Sequence, residues 1–185
     1  IGTSVIGDQL HFMLNQDMGF TRTAIVNIGT PGGKDAVTKR GVFVQQIGQL
    51  PQVDMICGSE GTPAAKGHRG TDLIRHTPKG DVKVASEMHL VDDHFLRLYE
   101  LHLLAGRNLL HSDTMTEVIV NERAARGLGF TNPADAVGQL VESGQKDRPG
   151  QTVLPIVGVI SDFHSRSLHE AVGPVFLTSN TGAQR

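Results

Sequence analysis

Twenty-two glycines divide this 185-residue chain into short pieces, so its fold has to be built from many turns and brief elements. Between the glycines lie β-branched runs and short helical patterns. The longest continuous signal is "TDLIRH-TPKGD-VKVASEMHLV", two strands around a Pro-Gly turn. Before it, "TAIVNI" (Thr23 to Ile28) reads as a strand. Asp35 to Leu50 reads as a helix, with Val37, Val44, Ile47 and Leu50 on one face, and Pro51 closes it. "QVDMICG" reads as the next strand, which makes a β-α-β opening. "VIGDQLHFMLNQ" has a helical pattern, with Gly19 placed as the residue just past the helix end.

"GTPAAKGHRG" has no periodicity and marks a lobe boundary. Beyond the hairpin, "DDHFLRLYE" reads as a short helix capped by Asp92, with Phe95, Leu96 and Tyr99 inward. "LHLLAGR" is a strand and turn, and "EVIVN" is a strand. "ERAARGLGF" is a helix ended by Gly127 or Gly129. Asn121 ends the strand and opens this helix, whose Ala124, Ala125 and Leu128 face the sheet. "NPADAVG" is a single helical turn with Asn132 as N-cap, Pro133 first and Gly138 just past its end. "VLPIVGVI" is a strand whose Pro155 requires an edge or a bulge.

Composition removes several function classes. Seventeen basic against nineteen acidic residues leave a charge of −2, and no Lys/Arg run exceeds two, so the footprint of a nucleic-acid binder is missing. A single cysteine, Cys57, excludes an internal disulfide framework and a multi-cysteine zinc site. It is expected to be a small buried hydrophobe in "VDMIC". No stretch reaches the roughly 20 apolar residues of a membrane span. The chain begins "IGTSVIG", without Met, and is expected to be an excised soluble segment. That opening fits either the last turns of a membrane helix or an ordinary helix start.

"VGVISDFHSRSLHEAVGP" (Val157 to Pro174) is the densest polar stretch. Asp162 and His164 sit two apart and would point the same way in an extended chain, as a metal pair or a base and its orienter would. A metal needs three or four ligands, and no HxxxH, HxH or ExxH accompanies them. "SLHE" (Ser167 to Glu170) instead matches a helix capping box. Asp162 is expected to bond turn or backbone amides, and Phe163 to fill the core. His11, His68, His76, His89, His94, His102, His111 and His169 are scattered singly. "GTPGGK" lacks phosphate-loop spacing, "GHRG" and "AGR" hold isolated arginines, and there is no G-x-S-x-G.

In order, "QLHFMLNQDMGF", "QQIGQLPQV", "VDDHFLRLYELHLLAGR", "EVIVNERAARGLGF-TNPADAVGQ" and "PIVGVISDFHSRSLHEAVGP" resemble the periplasmic core domain of MacB/FtsX-type ABC transporter permeases, of the Bacteroidetes type. The resemblance runs from about Gln9 to Pro174. It implies an α+β fold of two lobes: a porter-like β-α-β lobe and an inserted sabre-like mixed α/β lobe. Residues 1–22 would lead from a preceding membrane span, 23–62 form the first half of the porter-like lobe, 63–174 the sabre-like lobe, and 175–185 begin the return. A second β-α-β is expected after that point. Asn121, Glu122, Gly158, Asp162, Phe163, His164, Leu168 and Pro174 are structural signature positions in this resemblance, with no catalytic, cofactor or metal residue implied. ATP hydrolysis would belong to a cytoplasmic ATPase subunit or domain. The implied partners are the permease's own membrane helices and a periplasmic adaptor or lipoprotein, in a dimeric permease of the inner membrane with this segment periplasmic. Two rival readings come from the residues themselves. One is a periplasmic small-molecule sensor, with glycine-rich loops lining a cleft. The other is a metal-dependent hydrolase using Asp162, His164 and His169.

Overall fold

The computed structural model describes residues 18–21, 23–29, 36–65, 69–144, 152–165 and 170–179. In chain order the elements are α1 (Ala36–Gly48), β1 (Arg69–Thr77), β2 (Gly80–Val91), α2 (Phe95–Leu98), β3 (Leu103–Gly106), β4 (Val118–Asn121), α3 (Glu122–Gly127), α4 (Pro133–Ala136), β5 (Leu140–Ser143), β6 (Thr152–Ile160) and β7 (Val175–Ser179). The expected helix over Val5 to Leu14, the "GTPGGK" loop beyond Gly29 and the Ser167 capping box lie outside the described residues, as do His11, His68, Leu168 and His169.

All seven strands among the described residues join one mixed sheet in the order β3-β6-β4-β7-β2-β1-β5. β5 pairs with β6 as well as with β1, so six strands close into a ring and β3 adds alongside β6. The β1–β2 hairpin is antiparallel from Arg69↔Met88 to Thr77↔Gly80, matching the sequence reading. β2–β7 and β4–β6 are parallel. The central strand β7 lies between β2 and β4 and is buried at every position.

The sheet carries a core on each face. Val118 and Val120 of β4 and Phe176 of β7 belong to one, together with Leu73, Val84 and Ile156. Ile119, Val175 and Leu177, one residue out of step, belong to the other with Phe95, Leu101 and Phe163. This is the period-2 alternation of strands covered on both sides, which is why β4 and β7 each open on three consecutive apolar residues.

Pro155 sits where its ring is tolerated. Opposite β4 the register jumps from Val118↔Ile156 to Ile119↔Gly158, leaving Val157 as an extra residue. Ile156 donates its N–H to Gln139 O on the β5 side. By alternation the nitrogen of Pro155 faces the other way, where β4 has not yet begun.

The short helices follow their local signals. Asn132 caps α4 by accepting from Ala134 N, Pro133 opens it, and Gly138 has φ +83. α3 closes with Phe130 N donating to Ala125 O, Gly129 N donating to Arg126 O, and Gly129 at φ +91, the Schellman arrangement. Arg75 lies 4.0 Å over the Phe130 ring and donates to Leu128 O, which covers that end. Ala124, Ala125 and Leu128 are buried against the sheet, as expected. Ala125→Leu is expected to cost about 1–3 kcal/mol by overpacking. An unchanged melting temperature would show that the helix does not sit close.

The β-α-β opening is corrected. Its helix forms, but residues 23–29 are a turn and an unpaired stretch, with Ala24 at φ +60 and Val26 and Ile28 exposed. Residues 53–58 form no strand either; the one ladder contact there is the bridge Ser59↔Val91. Strand propensity expresses a fit to a pleated neighbour, and these segments lack a ladder partner among the described residues. Val42, Phe43 and Val44 of α1 are exposed as well. Asp92 caps the turn that opens into α2: its Oδ1 accepts from His94 N and its carbonyl from Phe95 N, while His94, directly before α2, is already helical and makes no side-chain cap bond. Phe95, Leu96 and Tyr99 are inward as expected.

Candidate functional site

Several of the positions expected as structural signatures meet where β4 becomes α3. Asn121 ends β4 fully buried. Its Oδ1 accepts from Ala124 N (3.0 Å) and from Val175 N (2.9 Å), and its Nδ2 donates to Gly173 O (2.9 Å). One amide therefore caps a helix and fixes the entry of β7. Asp162 adds a second cap: Oδ1 accepts from Arg123 N at 2.9 Å, and Oδ2 lies 3.9 Å from Arg123 Nε. Negative charge at a helix start is favoured by the exposed amides there. Glu122 lies beside it in an ion pair with Arg126 one turn on.

Phe163 points the other way, 1% exposed in the second core. Its ring meets Phe20 edge-on at 6.4 Å and His89 edge-on at 6.1 Å. His164 donates its backbone N–H to Met18 O, so the "MGF" segment runs against "DFH". Gly19 makes that approach possible. Its φ is +78, and a Cβ there would lie 2.9 Å from Asp162 O. Tyr99 completes the group, 6.0 Å from Phe20 and donating to Asn27 Oδ1.

Gly158 serves a different contact. It pairs with Gly106 across β3–β6, and a Cβ on it would strike Arg107 O. Pro174 leads into β7 and accepts from Glu87 N at 2.9 Å. Asn121, Glu122, Asp162, Phe163 and His164 are thus brought together, while Gly158 stands apart at the β3 crossing. Asp162 is engaged by the α3 amide and shares no described metal-ligand group with His164.

A cavity of about 380 Å³ lies beside Pro174, with Gly70, Asp72, Ser86, Glu87 and Glu170 among its walls. A small-molecule sensor calls for a deep apolar pocket with a few convergent polar groups. This one is walled by glycine, short side chains and three carboxylates.

Two further polar links were not expected from the sequence. Arg107 grips Glu117 with both nitrogens, at 2.9 and 2.6 Å, and Leu110 N donates to the same carboxylate. The guanidinium and that amide hold the Glu117 carboxyl below the usual carboxylate range against the opposing effect of burial. The second link corrects the reading of Cys57. It is half-buried, outside any strand, and its Sγ donates to Asp92 Oδ1 at 3.0 Å. Burial, and then the Asp92 charge, push its thiol pKa far up, so it stays a thiol. Asp92 Oδ2 also accepts from Gly58 N, which fastens residues 57–60 to the end of β2. A carboxylate 35 residues from the cysteine leaves no local sequence signal.

No family model and no curated protein sequence matches the chain. Solved structures do. The periplasmic region of MacB from Actinobacillus actinomycetemcomitans matches with a TM-score of 0.50 and 13% identity, over 75% of this chain and 54% of that one. A domain of a protein described as a permease, from Porphyromonas gingivalis, matches with a TM-score of 0.50 and 17% identity, over 76% of this chain and 55% of that one. The chain spans little more than half the length of either. No helix among the described residues is long and apolar enough to cross a membrane. The mixed α/β fold of this chain is that of the MacB-type periplasmic domain.

Proposed function

We propose that this chain is a non-catalytic, extracytoplasmic segment of an ABC transporter permease of the inner membrane. The observation that carries the reading is the likeness of its fold to the periplasmic region of MacB over three-quarters of its length. The chemistry of the signature stretch supports it. The side chains of Asn121, Asp162 and Phe163 are engaged in caps and core contacts, none presented as nucleophile, base or ligand. In this reading residues 23–62 belong to a porter-like lobe and the sheet to a sabre-like lobe that starts at residue 63 and runs past the expected end at 174, because β7 (Val175–Ser179) is the central strand of that sheet. The segment moves with the permease's membrane helices as a cytoplasmic ATPase turns over, within a dimer, and contacts a periplasmic adaptor or lipoprotein. Such coupling requires two arrangements whose balance is set by nucleotide state elsewhere.

The link to test is the one between residues 57–60 and the sheet. Glu60 N donates to Leu90 O and Asp92 N to Gly58 O, which makes Ser59 and Val91 a non-hydrogen-bonded antiparallel pair. In such pairs the Cα atoms lie about 4.5 Å apart, inside the range a disulfide spans. The experiment places Ser59→Cys and Val91→Cys in the intact permease, with Cys57→Ser to prevent mispairing. Oxidation is expected to stop transport while basal ATP hydrolysis continues, and reductant is expected to restore it. Full transport by protein shown to be cross-linked would refute coupling through this junction and leave a passive platform.

A further inference from the structure

The turn between β2 and α2 gathers groups that the permease reading does not use. Asp92, Asp93 and His94 each bring one donor atom within 4.8 Å of the others. His94 Nδ1 is 3.7 Å from Asp93 Oδ1 and 4.0 Å from Asp92 Oδ2. A second imidazole arrives from the loop after β3: His111 Nδ1 is 3.3 Å from the same Asp93 oxygen. Donors bound tetrahedrally at about 2.0–2.1 Å lie about 3.3–3.4 Å from one another. The His111–Asp93 pair is at that spacing, the two His94 pairs are about 0.3–0.7 Å above it, and the three turn donors lie within 4.8 Å of one another. Side-chain rotation has to close the group, and His111 reaches it through Asp93.

The surroundings hold the group in place. Asn108 Nδ2 donates to Asp93 O at 2.7 Å while its Oδ1 accepts from Leu109 N, so the His111 loop is fastened to the turn by its backbone. Asp92 is oriented by Gly58 N, Cys57 Sγ and His94 N. Bonded carboxylates of this kind orient metal ligands from behind. Asp93, His94 and His111 remain open to solvent, at 33%, 49% and 59% side-chain exposure, so an ion can enter.

We propose that Asp92, Asp93 and His94 form a binding site for a divalent cation of the zinc class, which His111 joins by turning from its Asp93 contact toward the ion. Two carboxylates balance the charge of the ion, and two imidazoles select zinc, nickel or copper over magnesium and calcium. Bound there, the ion ties the loop before β4 to the turn that also holds residues 57–60.

Calorimetric titration of the chelator-stripped 185-residue chain with zinc chloride tests this. One equivalent is expected to bind with micromolar affinity, and magnesium chloride is expected to give no binding. Asp93→Asn and His94→Ala are each expected to weaken zinc binding about tenfold or more, and His111→Ala to weaken it by a smaller factor. All three side chains are surface-accessible, and circular dichroism of each variant checks that it folds. His76 bridges Asp81 and Glu142 elsewhere on the sheet, at 2.7 Å to each, and is the control. His76→Ala is expected to leave zinc binding unchanged. Zinc affinity weaker than about 1 mM would overturn the site. So would binding that survives Asp93→Asn and His94→Ala, or that disappears with His76→Ala. Equal affinity for magnesium would overturn the zinc-class assignment.

Discussion

Phe163→Ala is expected to destabilise the protein by about 3–5 kcal/mol, the cost of emptying a core aromatic site. Phe163 is among the largest fully buried side chains, and its neighbours are themselves rings that cannot easily move into the gap. It also sits where residues 18–20 lie on the sheet, so the loss should loosen that segment as well. Chemical denaturation measures the change. Phe163→Leu, which keeps most of the apolar volume, is expected to cost clearly less. A loss under about 1 kcal/mol for Phe163→Ala would show that the site is not a packed core.

What the sequence disclosed depends on how local each cause is. "NPADAVG" was legible in full, because Asn, Pro and Gly each act within one helical turn: the cap, the first residue and the left-handed exit all stand where those residues place them. The β1–β2 hairpin was legible for the same reason, its strands meeting across a short turn. "TAIVNI" and "QVDMIC" carry the same β-branched signal and form no strands, because pairing is a relation to a distant segment. The ring closure was hidden too. β5 is four residues long with Leu140 exposed, and its pairing to β6 depends on register rather than composition. β7 is buried on both faces, so its apolar run carries no period to read.

The signature stretch shows the same division. That Asp162 would bond an amide and Phe163 would be buried could be read from residue type. Which amide it bonds could not: Arg123 precedes Asp162 by 39 residues. The polar density of "SDFH" comes from the chain passing three structures in three residues: the start of α3, the second core and the Met18 carbonyl. Each neighbour takes one consecutive residue. A stretch that resembles a catalytic run in composition is here a crossing point, where the Asp162 carboxylate and the His164 and Ser161 amides answer backbone.

The second large effect is expected at the same crossing. Asn121→Ala should cost about 3–7 kcal/mol. The side chain is fully buried and satisfies three backbone groups: the Ala124 and Val175 amides and the Gly173 carbonyl. Losing a helix cap costs about 1 kcal/mol, and each further buried group left without a partner adds about 1–3 kcal/mol. Asn121→Asp separates these contributions. It keeps an oxygen for the two amides but sets a carboxylate against Gly173 O where the amide donated. It is expected to lose the link to residue 173 while retaining the cap. Hydrogen exchange then distinguishes the two variants. In Asn121→Ala, protection should fall at both Ala124 and Val175. In Asn121→Asp it should persist at Ala124. Protection at Val175 that is unchanged in Asn121→Ala would show that β7 is held by its sheet neighbours alone, and that Asn121 is a helix cap without a role in fixing the strand.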